Sequence, residues 1–531
     1  MRHWFVLGVA AIAAIAGGSA LAAGPATASR LATAASPATA ASPAPAVLLV
    51  CNGSTARCPA GSGPYYRTIQ GAVDAAHSGD WILIYPGVYH EKSAQWPTAG
   101  VWIDKPDLHI RGLNRNKVII DGSDGSAAHP CPSAAAEQDY TPRDGIVVWK
   151  ASGVTLQNLT VCDYLSGASG HGNEIWWDGG YGSGKIGMGT FSGSYLTATS
   201  EYAPAKGYAG EAQYGIFADN SRGPGLITHS YASNMADSSF YVGACKQVCD
   251  TVVSDDTGVN SALGYSGTNS GGRLVITRSV FALNHAGVVP NSQNSSDAPP
   301  PQDGRCLGSA SKSCTVIEHN LIEDNNNANT PNDGAGEAAP VGTGIQIAGG
   351  TYDTVSDNVV SSEGAWGIVT SDYPDPEKPP PPSRCQGGIK NDPLTGWCLF
   401  RAIGNRVYGN VFIHDGFFGN QTNSDLADVT LSSYKLRNCF YGNVSLRGAL
   451  TSAPAHIERA SMDGKPCGKA GTGADVALED QMICNTGFEP CPLPPSEAKY
   501  PKQTRTVMLR LPRLPNMPDP CKGLPKNAFC P

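Results

Sequence analysis

Four short apolar bursts recur at a nearly fixed interval between Gln213 and Asn291: Tyr214-Gly215-Ile216-Phe217, Ser239-Phe240-Tyr241-Val242, Ala262-Leu263-Gly264-Tyr265 and Ala286-Gly287-Val288-Val289. Ile216, Phe240, Leu263 and Gly287 stand 24, 23 and 24 residues apart, and a polar residue precedes each by about three positions: Gln213, Asp237, Asn260 and Asn284. The repeat therefore includes its turns, which marks stacked units instead of one wound sheet. A second set of bursts, Leu226-Ile227, Val252-Val253 and Leu274-Val275-Ile276, falls between the first. These runs are too short for a helical pair, so each lap holds at least two buried strands separated by polar corners. The pattern predicts an all-β parallel β-helix in which every strand pairs with its copy one lap along, about 4.8 Å away. Asp237, Asn260 and Asn284 are expected to stack at successive corners as a structural ladder.

The flanks read differently. Met1-Arg2-His3, the apolar run Trp4 to Ala16 and Ala20-Leu21-Ala22 form a secretory leader over residues 1–23, too short to favour a membrane span. Residues 24–50 are a spacer rich in Ala, Ser, Thr and Pro. Residues 51–450 carry the coils and 451–531 a Pro/Cys-rich cap and tail, in which Thr506 to Leu511 is expected to add one edge strand. Near the start, Ile69, Ala72, Val73 and Ala76 share one helical face behind Thr68 as N-cap. A short amphipathic helix there would close the open end of the first coil.

The run TIQGAVDAAHSGDWILIYPGVYHE, followed by LHIRGLNRNKVIIDG, resembles the leading segment of right-handed parallel β-helix proteins of the pectin-lyase-like superfamily. The resemblance implies a right-handed single-stranded parallel β-helix, a solenoid, with a short N-terminal capping helix. It carries no catalytic motif over. The paired aspartates of the superfamily's esterases and the Asp clusters of its polygalacturonases have no counterpart here, so function has to be argued from the site.

Composition narrows the setting. Only 15% of residues are charged, against about 25% in an average domain, and 63 glycines suit many tight corners. A net charge of −8 leaves no basic footprint for nucleic acid. The sixteen cysteines include close neighbours, Cys51/Cys58, Cys245/Cys249, Cys306/Cys314, Cys385/Cys398 and Cys521/Cys530, with Cys131 and Cys162 as a further pair. Cys439, Cys467, Cys484 and Cys491 leave three connectivities open. No CxxC zinc pattern exists, so loop staples formed in an oxidising, extracellular setting are expected.

Long insertions follow successive bursts, at Gly243–Cys249, Ser266–Gly272, Asn291–Asp303 and Asp372–Pro382, and would wall a groove along the solenoid axis. Such a groove suits an extracellular polysaccharide. Glycan cleavage needs a carboxylic acid with a carboxylate, or a base beside a uronate carboxyl with cations to stabilise the charge formed. Glu174, Asp178 and Lys185 supply those groups, with Asp219 as a further carboxylate and Trp176 and Trp177 as sugar-stacking faces. Arg222, Tyr265, Asn269 and Asn291 are candidate substrate contacts, an ion pair being the rival reading of Asp219 with Arg222. No cofactor is expected; Asp297 and Asp303 could hold calcium through loop oxygens. Two functions follow from this reading: a secreted lyase, hydrolase or epimerase, or a non-catalytic binder of glycan or cell surface.

Overall fold

The structure is a computed structural model that describes residues 45–531, apart from segments 60–63, 95–97, 168–170, 181–184, 205–209, 246–247, 295–313, 332–338, 377–383, 394–395, 430–437, 459–475 and 487–489. Pro45–Pro531 is the second of two units of the chain and is compact. The predicted leader and most of the spacer, within residues 1–44, lie outside the described residues.

Each lap of the second unit contributes one strand to each of three sheets of twelve, eleven and eleven strands, all of them parallel. The chain is a right-handed parallel β-helix. It begins earlier than composition suggests, because Val47–Val50 pairs with Trp81–Ile84 as the first strand. The first sheet runs on through His109–Gly112 and Val154–Gln157, and the second starts with Gly87–Tyr89, Val118–Asp121 and Thr160–Cys162. The third is built mostly of six-residue strands, among them Asp144–Trp149, Asn173–Asp178, Tyr214–Asp219, Ser238–Gly243, Leu263–Thr268 and Ala286–Asn291.

The interior column of the third sheet is Ile146, Ile175, Ile216, Phe240, Tyr265, Val288, Ile345 and Ile368. This corrects the register expected from the bursts. Phe240 pairs with Tyr265, not with Leu263, and Tyr265 with Val288, not with Gly287. Leu263 lies two residues off the column and packs outward against Ala286, Val289 and Ala339. Gly287 sits at the lap corner, where a Cβ would come within 2.3 Å of the Gly344 carbonyl oxygen.

Buried asparagines tie the corners together. Asn320 donates to Asn358, Asn358 to Asn410 and Asn410 to Asn443 at 2.9–3.0 Å. In a second ladder Asn284 donates to Asn325, and Asn325 to Glu363. Asn260 donates to Asn234 in a third. Asp237 is not a rung, because it accepts the Tyr214 hydroxyl on the outer face. Each amide pairs a donor and an acceptor that would otherwise be buried at a cost of a few kcal/mol.

Helix Ile69–Ala75 closes the first coil as expected, Thr68 Oγ1 accepting the Gly71 N–H at 3.1 Å. The buried Glu91 carboxylate accepts the N–H groups of Ile69 and Gln70, satisfying two more donors of its first turn. At the far end, helix Val476–Thr486 lies on the outer face of the third sheet, its Leu478 packed with Trp366, Val369, Ala427 and Val429.

The tail forms no edge strand at Thr506 to Leu511. It runs back across the laps as an extended strap held by side chains. Lys499 N–H donates to Asn420, Leu509 to Asn234, Leu511 to Glu201, Leu514 to Asn116 and Met517 to Asn158. Arg111 donates to the carbonyls of Pro520 and Lys522, and Phe529 stacks on Tyr65 of the first lap at 5.5 Å. Thr506 to Leu511 contains no proline, and its alternate N–H groups, on Val507, Leu509 and Leu511, donate to the Asn329 carbonyl and to the Asn234 and Glu201 side chains, so single contacts at lap corners take the place of a ladder.

Disulfides Cys51–Cys58, Cys131–Cys162, Cys245–Cys249, Cys385–Cys398 and Cys521–Cys530 form as anticipated. Cys484–Cys491 resolves the open set, and Cys314 and Cys439 are also disulfide-bonded. No described helix is long and apolar enough to cross a membrane.

Candidate functional site

Strands of the third sheet alternate one side chain into the core and one outward. In Asn173–Asp178 the inward pair is Ile175 and Trp177, so Trp176 faces outward. The same outward column holds Trp102, Val147, Phe217 and Tyr241, because each is one residue past a core position. These residues build an aromatic ladder over consecutive laps. Trp102 stacks on Trp149 at 5.7 Å, and Trp176 on Phe217 at 5.3 Å with planes only 4° apart. Tyr214 stacks on Phe217 at 4.7 Å, and Tyr241 meets Phe217 edge-on at 4.6 Å. Trp149, Trp176, Tyr214 and Phe217 remain half-buried.

Polar groups frame the ladder. Trp176 Nε1 donates to Asp219 at 3.1 Å, and the Tyr214 hydroxyl donates to Asp237 at 2.7 Å. Lys150 Nζ lies 4.1 Å from the centre of the Trp149 ring. At the start of the strands His171 Nδ1 is 2.8 Å from Asp144 Oδ2, while Asp144 Oδ1 accepts both N–H groups of Asn173. The hydrogen bond to Asp144 raises the His171 imidazole above its ordinary range, whereas burial pushes the Asp144 carboxyl up. The His171 side chain is 28% exposed. A small cleft of about 70 Å³ continues the face beyond the ladder, lined by Tyr214, Asp237, Ser266, Thr268, Asn291 and Tyr373 among others.

The residues expected to form the site separate into four groups. Glu174, Trp177 and Tyr265 point inward and are fully buried, which removes them from any groove. Trp177 packs against Phe191, and Tyr265 against Phe281. Burial raises the Glu174 carboxyl well above its usual range, with the nearby Asp163 charge adding to the shift. Asp178, the last residue of its strand, and Asn269, just past the strand Leu263–Thr268, are buried: Asp178 accepts the Gly180 N–H, and Asn269 exchanges two hydrogen bonds with the Gln293 backbone. Trp176, Asp219 and Asn291 belong to the outer face, Asn291 donating to Ser266 beside the cleft.

Lys185 and Arg222 are exposed on loops, and the ion pairs among the described residues do not include Arg222 with Asp219. Asp297 and Asp303, the candidate calcium ligands, lie outside the described residues. Sequence reasoning missed Asp144, His171, Tyr214, Phe217, Tyr241 and Asp237. The alternation around the bursts carried a signal for the three aromatics. His171 and Asp144 meet only through pairing of neighbouring laps.

No family model matches the chain, and no curated protein does. Among solved structures it is similar to the A-module of the mannuronan C-5 epimerase AlgE4 from Azotobacter vinelandii, at 13% identity over 71% of this chain and 90% of that one, with a TM-score of 0.41. The A-module of AlgE6 from the same organism gives 11% identity, 72% and 94% coverage and a TM-score of 0.39. The tailspike protein of E. coli bacteriophage HK620, solved in complex with a pentasaccharide, gives 13% identity, 72% and 60% coverage and a TM-score of 0.36.

Proposed function

We propose that this is an extracellular protein that binds a polysaccharide along the outer face of its third sheet. The leader pattern and the disulfides support the location. The observation that carries the reading is the Trp176–Phe217 stack, which with Tyr214 stays half-buried and which the buried Tyr241 extends over the next lap. The uncovered edges of the stacked rings offer apolar contact to the C–H groups of pyranose rings, and Asp219, Asp237 and Asn291 offer polar partners to their hydroxyls.

The His171–Asp144 pair favours a second reading, in which the bound chain is also turned over. A buried carboxylate that holds Nδ1 fixes the ring and leaves Nε2 for proton transfer at one edge of the strip. Lyase or epimerase chemistry would then begin with removal of the proton beside a uronate carboxyl.

A glycan array probed with the full chain tests binding, and Trp176→Ala is expected to weaken any hit about tenfold. Absorbance of unsaturated uronides and release of reducing ends test turnover. Loss of turnover in His171→Ala with retained binding supports the catalytic reading. No retention on any acidic or neutral glycan defeats the proposal.

A further inference from the structure

The aromatic strip of the third sheet has an end, and the column that builds it shows where. Trp102 and Tyr241 stand four lap steps apart, roughly 19 Å at about 4.8 Å per lap. Beyond Tyr241 the column continues through Ser266, Val289 and Gln346 to Val369 and Ala427. The side chains shrink from the rings of Trp176, Phe217 and Tyr241 to the small groups of Ser266 and Val289. The cleft of about 70 Å³ opens over these laps.

One lap further the face is closed. Gln346 is buried, its Nε2 donating to Ser371 Oγ at 2.9 Å and lying 4.0 Å from Met482 Sδ of helix Val476–Thr486. Val369 and Ala427 are fully buried in the cluster that Leu478 completes. The helix is fastened to the laps it crosses: Asn485 Nδ2 donates to the Val341 carbonyl at 2.9 Å, and Gln481 Oε1 accepts the Thr422 N–H at 2.7 Å. A sugar chain lying along the strip therefore meets Met482 at Gln346, and passing that point requires breaking these contacts.

The cleft before this wall is suited to a terminal residue. A sugar at a chain end carries one hydroxyl more than an internal one, because that oxygen is not used in a glycosidic bond. Polar groups for it line the cleft: Asn291 Nδ2 donates to Ser266 Oγ at 3.4 Å and to the Val289 carbonyl at 3.3 Å, while no donor among the described residues reaches Asn291 Oδ1. An acceptor left without a donor is costly unless a ligand or water supplies one.

We propose that the bound polysaccharide stops at this wall, so that the protein recognises the end of a chain and not its interior. The proposal rests on the binding reading of the aromatic strip and adds the direction and the terminus. The last sugar sits at Ser266 and Val289, and its neighbours run back over Tyr241, Phe217 and Trp176 toward the first laps. Helix Val476–Thr486 thus serves both as cover for the apolar half of the face and as the stop for the ligand.

The test uses the full chain with polygalacturonate and xylan as an acidic and a neutral probe, each as long polymer and as short hydrolysate. A protein that binds chain interiors saturates at the same amount per gram of polymer whatever its length. One that binds ends saturates in proportion to their number, so shortening the chains about tenfold should raise the protein bound per gram about tenfold by mass action. Ser266→Phe, which fills the cleft, should weaken binding of the hydrolysate about tenfold with little change in unfolding temperature. If that variant does not fold, the length comparison on the unmodified chain decides alone. Equal binding per gram at both lengths overturns the proposal and leaves the binding reading standing. A folded Ser266→Phe that binds as the wild type does also overturns it, because the terminus then lies elsewhere. Retention of neither probe at either length overturns it too, and the glycan array then judges the binding reading separately.

Discussion

The two halves of the third sheet's outer face carry similar residues and treat them in opposite ways. Toward the C-terminus Trp366 is fully buried, its Nε1 donating to the Thr422 carbonyl at 3.0 Å. Val369, Ala427 and Val429 share that covered patch beneath Leu478 of helix Val476–Thr486. Toward the N-terminus Trp149, Trp176 and Phe217 stay half-buried, and Trp176 Nε1 donates to Asp219. The chain thus supplies a cover for one apolar face and leaves the other accessible. A half-buried aromatic strip left without a cover is a mark of a binding surface, and the covered half shows how the same fold disposes of such a strip when it serves stability.

The sharpest way to break the comparison is Leu478→Ala. It should cost about 3 kcal/mol through the cavity left under the helix, lowering the unfolding temperature while glycan binding by the remaining folded protein is unchanged. Equal loss of binding would show that the covered half also contacts ligand.

A pH titration of stability gives the next effect. Burial raises both Asp353 and Asp415 to about 7, whereas in the unfolded chain they titrate near about 4. The folded chain keeps these protons longer, so their contribution falls as pH rises from about 4 through about 7 and remains at its lower value above that. His285, which burial lowers to about 4, acts in the opposite sense, losing stability as pH falls from about 6.5 toward 4. Asp415→Asn should flatten the decline in unfolding temperature between pH 5 and pH 8; an unchanged profile would remove this acid from the account.

Trp176→Ala sharpens the comparison from the other side. Its tenfold loss of binding should come with a smaller drop in unfolding temperature than Leu478→Ala produces, because the ring is half-buried. The smallest effect belongs to Arg222→Ala. This exposed side chain forms no ion pair with Asp219 among the described residues, so stability should change by less than about 0.5 kcal/mol in a urea titration.

Much of the scaffold was legible from spacing. Thr68 and the apolar face of Ile69, Ala72 and Val73 foretold the capping helix, and four neighbouring cysteine pairs plus Cys484–Cys491 close as short loops. The candidate site was half legible. Trp176, Asp219 and Asn291 reached the outer face, whereas Trp177 and Tyr265 went to the core and Glu174 to a corner. The bursts contain adjacent apolar residues, such as Trp176-Trp177 and Phe240-Tyr241, so local sequence does not say which member of the pair faces inward.

What the chain determined alone was its mode of winding: a repeat of about two dozen residues with period-two strands and polar corners can bury its apolar side chains only by stacking on itself. What the stacked laps decided was register, and with it function. Strand side chains alternate, so a one-residue shift carries a residue from core to solvent. Phe240 pairs with Tyr265, so Tyr265 takes the core position, while Leu263, on the other side of the Gly264 corner that interrupts the pleat, packs outward. His171 and Asp144 lie 27 residues apart, and Asn116 and Leu514 lie 398 apart. Only the neighbouring lap and the returning tail bring those partners within hydrogen-bonding reach.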